Sequence, residues 1–468
     1  MNKITFLILI LIAHVSFAQT ENPENKMAAD SFFEYYNAEK YDEIFLMFSS
    51  EMKSALPLDK TTEFLKGLKS QVGKINHYTF MSYKNGSYAF YKSEFEQAVL
   101  AVNISVDHNS KINGLFVEPF VEETQEKKAR KNLISDNSTN KMQSDLIFEH
   151  TKSFPDQTQL ALALIKNGKV TYFGIKRSNN EIIRTHNSSS IFEIGSVSKV
   201  FTATLLSGFV VNNKLNLNDH INDYLGFDLK NNVELTFKQL ANHTSGLPRL
   251  PSNLDLSSVD PSNPYKDYGV TELVNYLKEN LEISENIYDY SNLGFGLLGY
   301  VLVKHSNSSY NELLQKSIFN KYNMSHSTAL IAKVKNPLVI GLDKDGKETS
   351  HWDLSVLEGA GGIFSNVEDM AKFALAQFED SNIDLKLTRQ KTSKVNESMD
   401  IGLGWHILND MSKNNWYWHN GGTGGYSSTM VIDTTNRNGV IILSNVSAFN
   451  PHMSQIDNLG FALMKSID

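Results

Sequence analysis

Residues 122–141 divide the chain. The run Glu-Glu-Thr-Gln-Glu-Lys-Lys-Ala-Arg-Lys opens this tract, and Asp-Asn-Ser-Thr-Asn follows with almost no apolar content. Such a segment cannot bury enough surface to fold alone and reads as a linker, its basic cluster a solvated spacer. A chain of 468 residues exceeds what one compact core holds. The tract therefore predicts a small domain at 19–121, a linker at 122–141 and a larger domain at 142–468. Residues 1–18 read as a secretory signal peptide: Lys3 supplies the charge, Ile4 to Val15 the apolar core, and Ser16-Phe17-Ala18 the small-x-small cleavage site. The apolar run is shorter than the ~20 residues a membrane span needs, and no later segment qualifies. The mature protein is expected to be periplasmic or secreted, with no integral membrane segment.

Several chemistries are excluded early. A formal charge of -8 gives no reason to expect nucleic acid or an anionic membrane as partner. The absence of cysteine removes disulfides, thiol catalysis and thiolate metal sites. No His-Glu-x-x-His helix or carboxylate pair at ligand spacing is present, and Gly359 to Gly362 lacks the Lys-Ser/Thr of a phosphate loop. No metal and no cofactor are expected.

The small domain reads helices first: Phe32 to Tyr36, Ile44 to Phe48, and Thr61 to Val72 with Phe64, Leu65 and Leu68 on one side. Strand-like segments follow at Asn76 to Tyr83, Ser87 to Tyr91, Phe95 to Asp107 and Lys111 to Val117, with Asn85-Gly86 and His108-Asn109-Ser110 as hairpin turns. This order predicts a small α+β domain. It resembles the cone-shaped cystatin-like and nuclear-transport-factor-like modules. Its aromatic residues (Tyr78, Phe80, Tyr83, Tyr88, Phe90, Tyr91) either fill the core face of the sheet or line a ligand pocket.

In the larger domain, Ser196-Val197-Ser198-Lys199 sits where a loop ending in Gly195 enters a long apolar helix. Ser and Lys three apart on a first helical turn face the same side. A buried lysine gives up its charge, and the neutral amine can then take the serine proton. The same spacing at Ser50–Lys53 and Ser138–Lys141 lacks this context. Two more motifs follow in order: Tyr290-Ser291-Asn292 before a glycine-rich helix, and His419-Asn420-Gly421-Gly422 before the strand Tyr426 to Asp433. Consecutive glycines let a substrate backbone approach closely, and their N–H groups can donate to an oxyanion.

Ser-x-x-Lys, Tyr-x-Asn and a basic residue-x-Gly, in that order, resemble the serine β-lactamase and penicillin-binding-protein superfamily. The tyrosine form of the second motif is similar to its class C and D-Ala-D-Ala carboxypeptidase branch. The resemblance runs through residues 146 to 468. Leu240 to Pro248 is similar to "LLxHTSGLP", Gly359 to Met370 to "GAGGLxSTxxDM", and Gly402-Leu403-Gly404-Trp405 matches the strand preceding the third motif.

The resemblance implies an antiparallel sheet flanked by helices plus an all-α lobe, an α/β fold with the site between the lobes. It implies Ser196 as nucleophile, Lys199 as the neutralised base, and Tyr290 as its partner in a coupled acid–base pair. Tyr290 would serve either as a proton shuttle or with its pKa lowered by a neighbouring cation, of which Lys199 is the obvious one. Asn292 would bond Lys199 and the substrate amide. The N–H groups of Ser196 and Gly422 would form the oxyanion hole, and His419, Asn420, Gly421 and Gly422 would bind substrate. His419 departs from the usual Lys-Thr-Gly, whose cation holds a substrate carboxylate, and Asn420 replaces the hydroxyl beside it. An imidazole is mostly neutral at pH 7. The expected activity is that of a serine hydrolase acting on amides or esters of peptidoglycan-type or D-amino peptides. A β-lactamase, a small-ester hydrolase and a non-catalytic binding protein are the alternatives. The partner is a small-molecule or peptidoglycan-derived substrate, and the sequence fixes no oligomeric state.

Overall fold

The computed structural model describes residues 21–84, 88–120, 131–134, 140–256, 258–285, 287–409 and 413–467. The signal segment, the Asn85-Gly86 turn and most of the linker lie outside them. The chain divides after Glu126 into two compact units.

In the first unit, Asn22 caps the helix Pro23–Asn37 by accepting from the Glu24 N–H, with proline at the first helical position. Helices Tyr41–Met47, Ser50–Ala55 and Leu58–Val72 follow. Gly73, at φ +79°, ends the last helix and turns the chain into the sheet. Four antiparallel strands then run in sequence order: Ile75–Lys84, Tyr88–Phe95, Val99–Val106 and Ile112–Pro119. Two expectations are corrected. Phe95 closes the second strand rather than opening the third, because it continues the inward alternation of Ala89, Tyr91 and Ser93 and pairs with Ile75. Phe64 is 41% exposed while its neighbour Leu65 is fully buried, the 100° step of a helix having placed only one of them inward.

The open question about the aromatic residues resolves by face. Tyr78, Phe80, Tyr83 and Tyr91 pack with Phe33 in the interior. Tyr88 and Phe90 lie on the opposite face against Phe116 and Phe120.

The second unit is built on a ten-stranded sheet. Its spatial order is Ser393–Lys394, Met399–Ile401, His406–Leu408, Trp416–Gly422, Ser427–Asp433, Asn438–Ser444, Gln159–Lys166, Lys169–Ser178, Glu181–Arg184 and Lys131–Leu133. All neighbours are antiparallel except the last pair. Asn167 and Gly168, both at positive φ, make the tight turn between Gln159–Lys166 and Lys169–Ser178. Both faces of the central strands are buried. Leu160, Leu162 and Leu164 face the helices Lys141–Thr151 and Ser454–Ile467, while Ala161, Ala163 and Ile165 face the helical lobe.

In that lobe the helix Ser198–Val211 is apolar all round and buried through its first ten residues, as a helix inside a large core must be. Its hydroxyls are internally satisfied: Thr202 donates to Gly359 O at 2.6 Å and Ser207 to Asp384 O at 2.6 Å. The helix Asn292–Ser306 packs against the turn Ser355–Ala360. Gly299 permits this, since a β-carbon there would stand 3.0 Å from the Gly359 Cα.

Candidate active site

Ser196 lies in a three-residue 3₁₀ turn, Gly195–Val197, and the α-helix begins two residues later. The Lys199 side chain is fully buried, with Nζ 3.1 Å from Ser196 Oγ, 2.8 Å from Asn292 Oδ1 and 2.7 Å from Ala360 O. No carboxylate is among these partners, so an ammonium here would be a buried, unpaired charge costing several kcal/mol. Burial accordingly drives the Lys199 pKa well below the usual lysine range, and the Arg249 charge adds to the shift. Once neutral, the amine has two N–H bonds and one lone pair. The two carbonyl-type oxygens take the hydrogens, and the lone pair faces the Ser196 hydroxyl.

The second motif is fixed by the loop containing His243 to Leu250. Ser291 caps its helix by accepting from Gly294 N–H at 2.8 Å and donates to Pro248 O at 2.7 Å. Its own N–H donates to His243 Nδ1 at 3.1 Å, and Arg249 O accepts from the Asn292 and Leu293 N–H groups at 3.0 and 3.1 Å. His243 thus braces one motif against another, in a left-handed backbone conformation at φ +60°.

Tyr290 stands beside this pair, its ring centroid 4.9 Å from Lys199 Nζ. Burial pushes its pKa up to about 12, outweighing the opposing effects of Ser196 and Arg249. This corrects the expectation that Lys199 would lower the Tyr290 pKa. A neutralised lysine cannot act as a cation, and the nearby positive charge is Arg249.

The strand Trp416–Gly422 contributes its residues by alternation. Trp418 and Asn420 face the C-terminal helix, where Asn420 donates to Asp457 Oδ2 at 2.7 Å and Trp418 packs on Phe461. His419 and Gly421 face the other way, toward Tyr290 and Ser196. Asn420 therefore points away from the cleft, which corrects its placement as a substrate-binding side chain. The glycines are also explained differently. A β-carbon on Gly421 would stand 2.1 Å from Ile194 O and 2.9 Å from Ser196 N, so the close approach is by the protein's own turn. The approach is mutual, since a β-carbon on Gly195 would stand 2.5 Å from Gly422 N. Thr423 N–H donates to Tyr426 O, so the adjoining pair Gly422–Ser427 is a non-hydrogen-bonded one. The Gly422 N–H is turned off the ladder toward Gly195.

His419 is fully buried and its Nδ1 donates to Asn420 O at 2.6 Å, leaving a lone pair on Nε2. Burial drives its pKa well below the usual histidine range, so it is neutral at pH 7. A small cleft opens beside them, lined by Ser196, Asn292 and Gly422 and by the apolar walls Leu250, Tyr265 and Trp352. Among the described residues no His, Asp and Glu cluster could hold a metal ion.

The beta-lactamase family matches residues 151–461. This chain belongs to it. A family described as proteins of unknown function (DUF3887) matches residues 29–115. The chain is 27% identical over 288 residues to penicillin-binding protein 4* of Bacillus subtilis, covering 56% of this chain and 62% of that relative's length. It is 25% identical over 266 residues to a beta-lactamase of Pseudomonas fluorescens, covering 54% and 70%. Among solved structures, a beta-lactamase/D-alanine carboxypeptidase from Pseudomonas syringae superposes with a TM-score of 0.58 at 18% identity, covering 70% of this chain and 99% of that one. The β-lactamase-type fold follows, with a small α+β unit before it.

The structure brings Ser196, Lys199, Tyr290, Asn292, His419 and Gly422 together and leaves Asn420 out. Sequence reasoning missed Arg249 and the pair Tyr288–His406, joined at 2.8 Å behind His419. His406 follows directly on the Gly-Leu-Gly-Trp landmark and Arg249 on the Leu-Pro landmark, which were the available signals.

Proposed function

We propose that this protein is a serine hydrolase working through an acyl-enzyme on Ser196. One observation carries the reading: a fully buried lysine with two oxygen acceptors and a serine hydroxyl at its remaining valence. The Ser196 proton passes to Lys199 Nζ as Oγ bonds to the substrate carbonyl carbon. The tetrahedral oxygen lies against the Ser196 and Gly422 N–H groups, where losing one donor costs ~3 kcal/mol of transition-state stabilisation. The scissile bond then breaks, and the leaving nitrogen or oxygen takes the proton back from Lys199 by way of Tyr290. Water repeats the sequence to release the acid.

The substrate class we favour is an amide or ester of peptidoglycan-type or D-amino peptides, met in the periplasm or outside the cell. The apolar walls and the neutral His419 favour small-ester hydrolysis as a second reading. Brief exposure to benzylpenicillin followed by intact-mass measurement tests the nucleophile. An adduct on the wild type and none on Ser196→Ala is the expected result. An adduct that survives Ser196→Ala overturns the assignment, and its absence from both turns the search to esters and D-amino peptides.

A further inference from the structure

The third-motif position, where relatives of the resemblance place a cation for a substrate carboxylate, holds a buried imidazole here. Its Nε2 presents a lone pair, which repels an anion. Lys199 is no substitute, being enclosed and saturated by three protein partners. A cation nevertheless stands beside Tyr290. Arg249 is exposed, and its backbone carbonyl is clamped to the second motif through the Asn292 and Leu293 N–H groups. Its guanidinium carbon lies 5.2 Å from the centroid of the Tyr290 ring. Among the described residues no carboxylate pairs with it, and the next residue, Leu250, lines the cleft beside Ser196.

Stacking on Tyr290 holds a planar five-donor fork without consuming its charge. A fork so held suits a carboxylate, which accepts two parallel N–H bonds. We propose that Arg249 is the specificity-determining residue that recognises a carboxylate on the substrate, in place of the third-motif cation. The substrate is then an anionic ester or amide. This rests on the acyl-enzyme reading above and adds the charge of the molecule that reads it.

The carboxylate can lie on the acyl side or on the leaving group, and two substrate pairs separate these. The first is p-nitrophenyl hydrogen succinate against p-nitrophenyl butyrate, and the second is 3-carboxyphenyl butyrate against phenyl butyrate. The quantity read is the ratio of kcat/KM for the charged over the neutral ester, which cancels any general effect on the nucleophile. Arg249→Gln should lower that ratio about tenfold in one pair, and Arg249→Lys should recover part of it. A ratio unchanged in both pairs overturns the role of Arg249 while leaving the hydrolase reading intact. Failure of the wild type to turn over or be acylated by any of the four esters overturns both.

Discussion

In the N-terminal unit Tyr36, Tyr78 and Tyr91 pack their rings into the core and every hydroxyl finds an acceptor: Gly73 O at 3.1 Å, Asp30 at 2.7 Å and Glu21 at 2.7 Å. In the catalytic unit His243, His419 and Trp352 do the same with their rings, yet His243 Nε2, His419 Nε2 and Trp352 Nε1 meet no protein partner. Each such atom costs ~1–3 kcal/mol, so the second cluster is held at an energy the first avoids. A protein tolerates that cost where the groups serve a ligand or a reaction.

The largest way to break the contrast is at the nucleophile. Ser196→Ala should reduce kcat/KM by a factor on the order of 10⁴ or more with little change in Tm, since one partly buried hydroxyl is removed. A loss under tenfold would mean that the chemistry lies elsewhere. The next effect is electrostatic. The charge of Arg249 helps depress the Lys199 pKa, so Arg249→Gln should raise it. The acidic limb of the kcat/KM profile, which needs Lys199 neutral, should then move to higher pH. The groups facing Lys199 that also titrate, Tyr290, His243, His406 and His419, are neutral there already. A limb that stays in place or moves down would contradict the assignment.

On the scaffold side, Tyr91→Phe should lower the unfolding free energy of its unit by about 1 kcal/mol, read from urea melts, with kcat/KM unchanged. A fall in activity would mean that the aromatic cluster serves the reaction after all. A further effect, read along the pH axis, is at Glu193. Burial pushes its pKa from 4.5 up to about 8, so the native state holds a proton that the unfolded chain releases. Its stabilising contribution is complete below pH 4.5 and lost as pH rises through about 8. Glu193→Gln has no proton to lose. The Tm difference between variant and wild type should therefore rise by a few degrees from about pH 5 to about pH 8, and a flat difference would refute the protonated carboxyl.

Much of this was legible in the residues. The Ser196–Lys199 spacing and the existence of a strand ending at Asp433 are local patterns that tertiary structure left intact. The misses share a cause. The side on which Asn420 lies depends on strand register against the C-terminal helix, and nothing in His-Asn-Gly-Gly encodes that. Phe64 against Leu65 is a choice between neighbours that only packing makes. Arg249 is an exposed loop cation in sequence and a site residue only because Tyr290, some 40 positions on, lies beneath it.

The central claim is that Lys199 is a neutral base at ordinary pH. The rate of Ser196 acylation, followed by quenched intact-mass measurement from about pH 5 to about pH 10, tests it most directly. The account predicts a rate already at its plateau near neutrality, with its acidic limb far below the usual lysine value of 10.5. A rate that climbs steadily toward that value would show an ordinary ammonium and contradict the account.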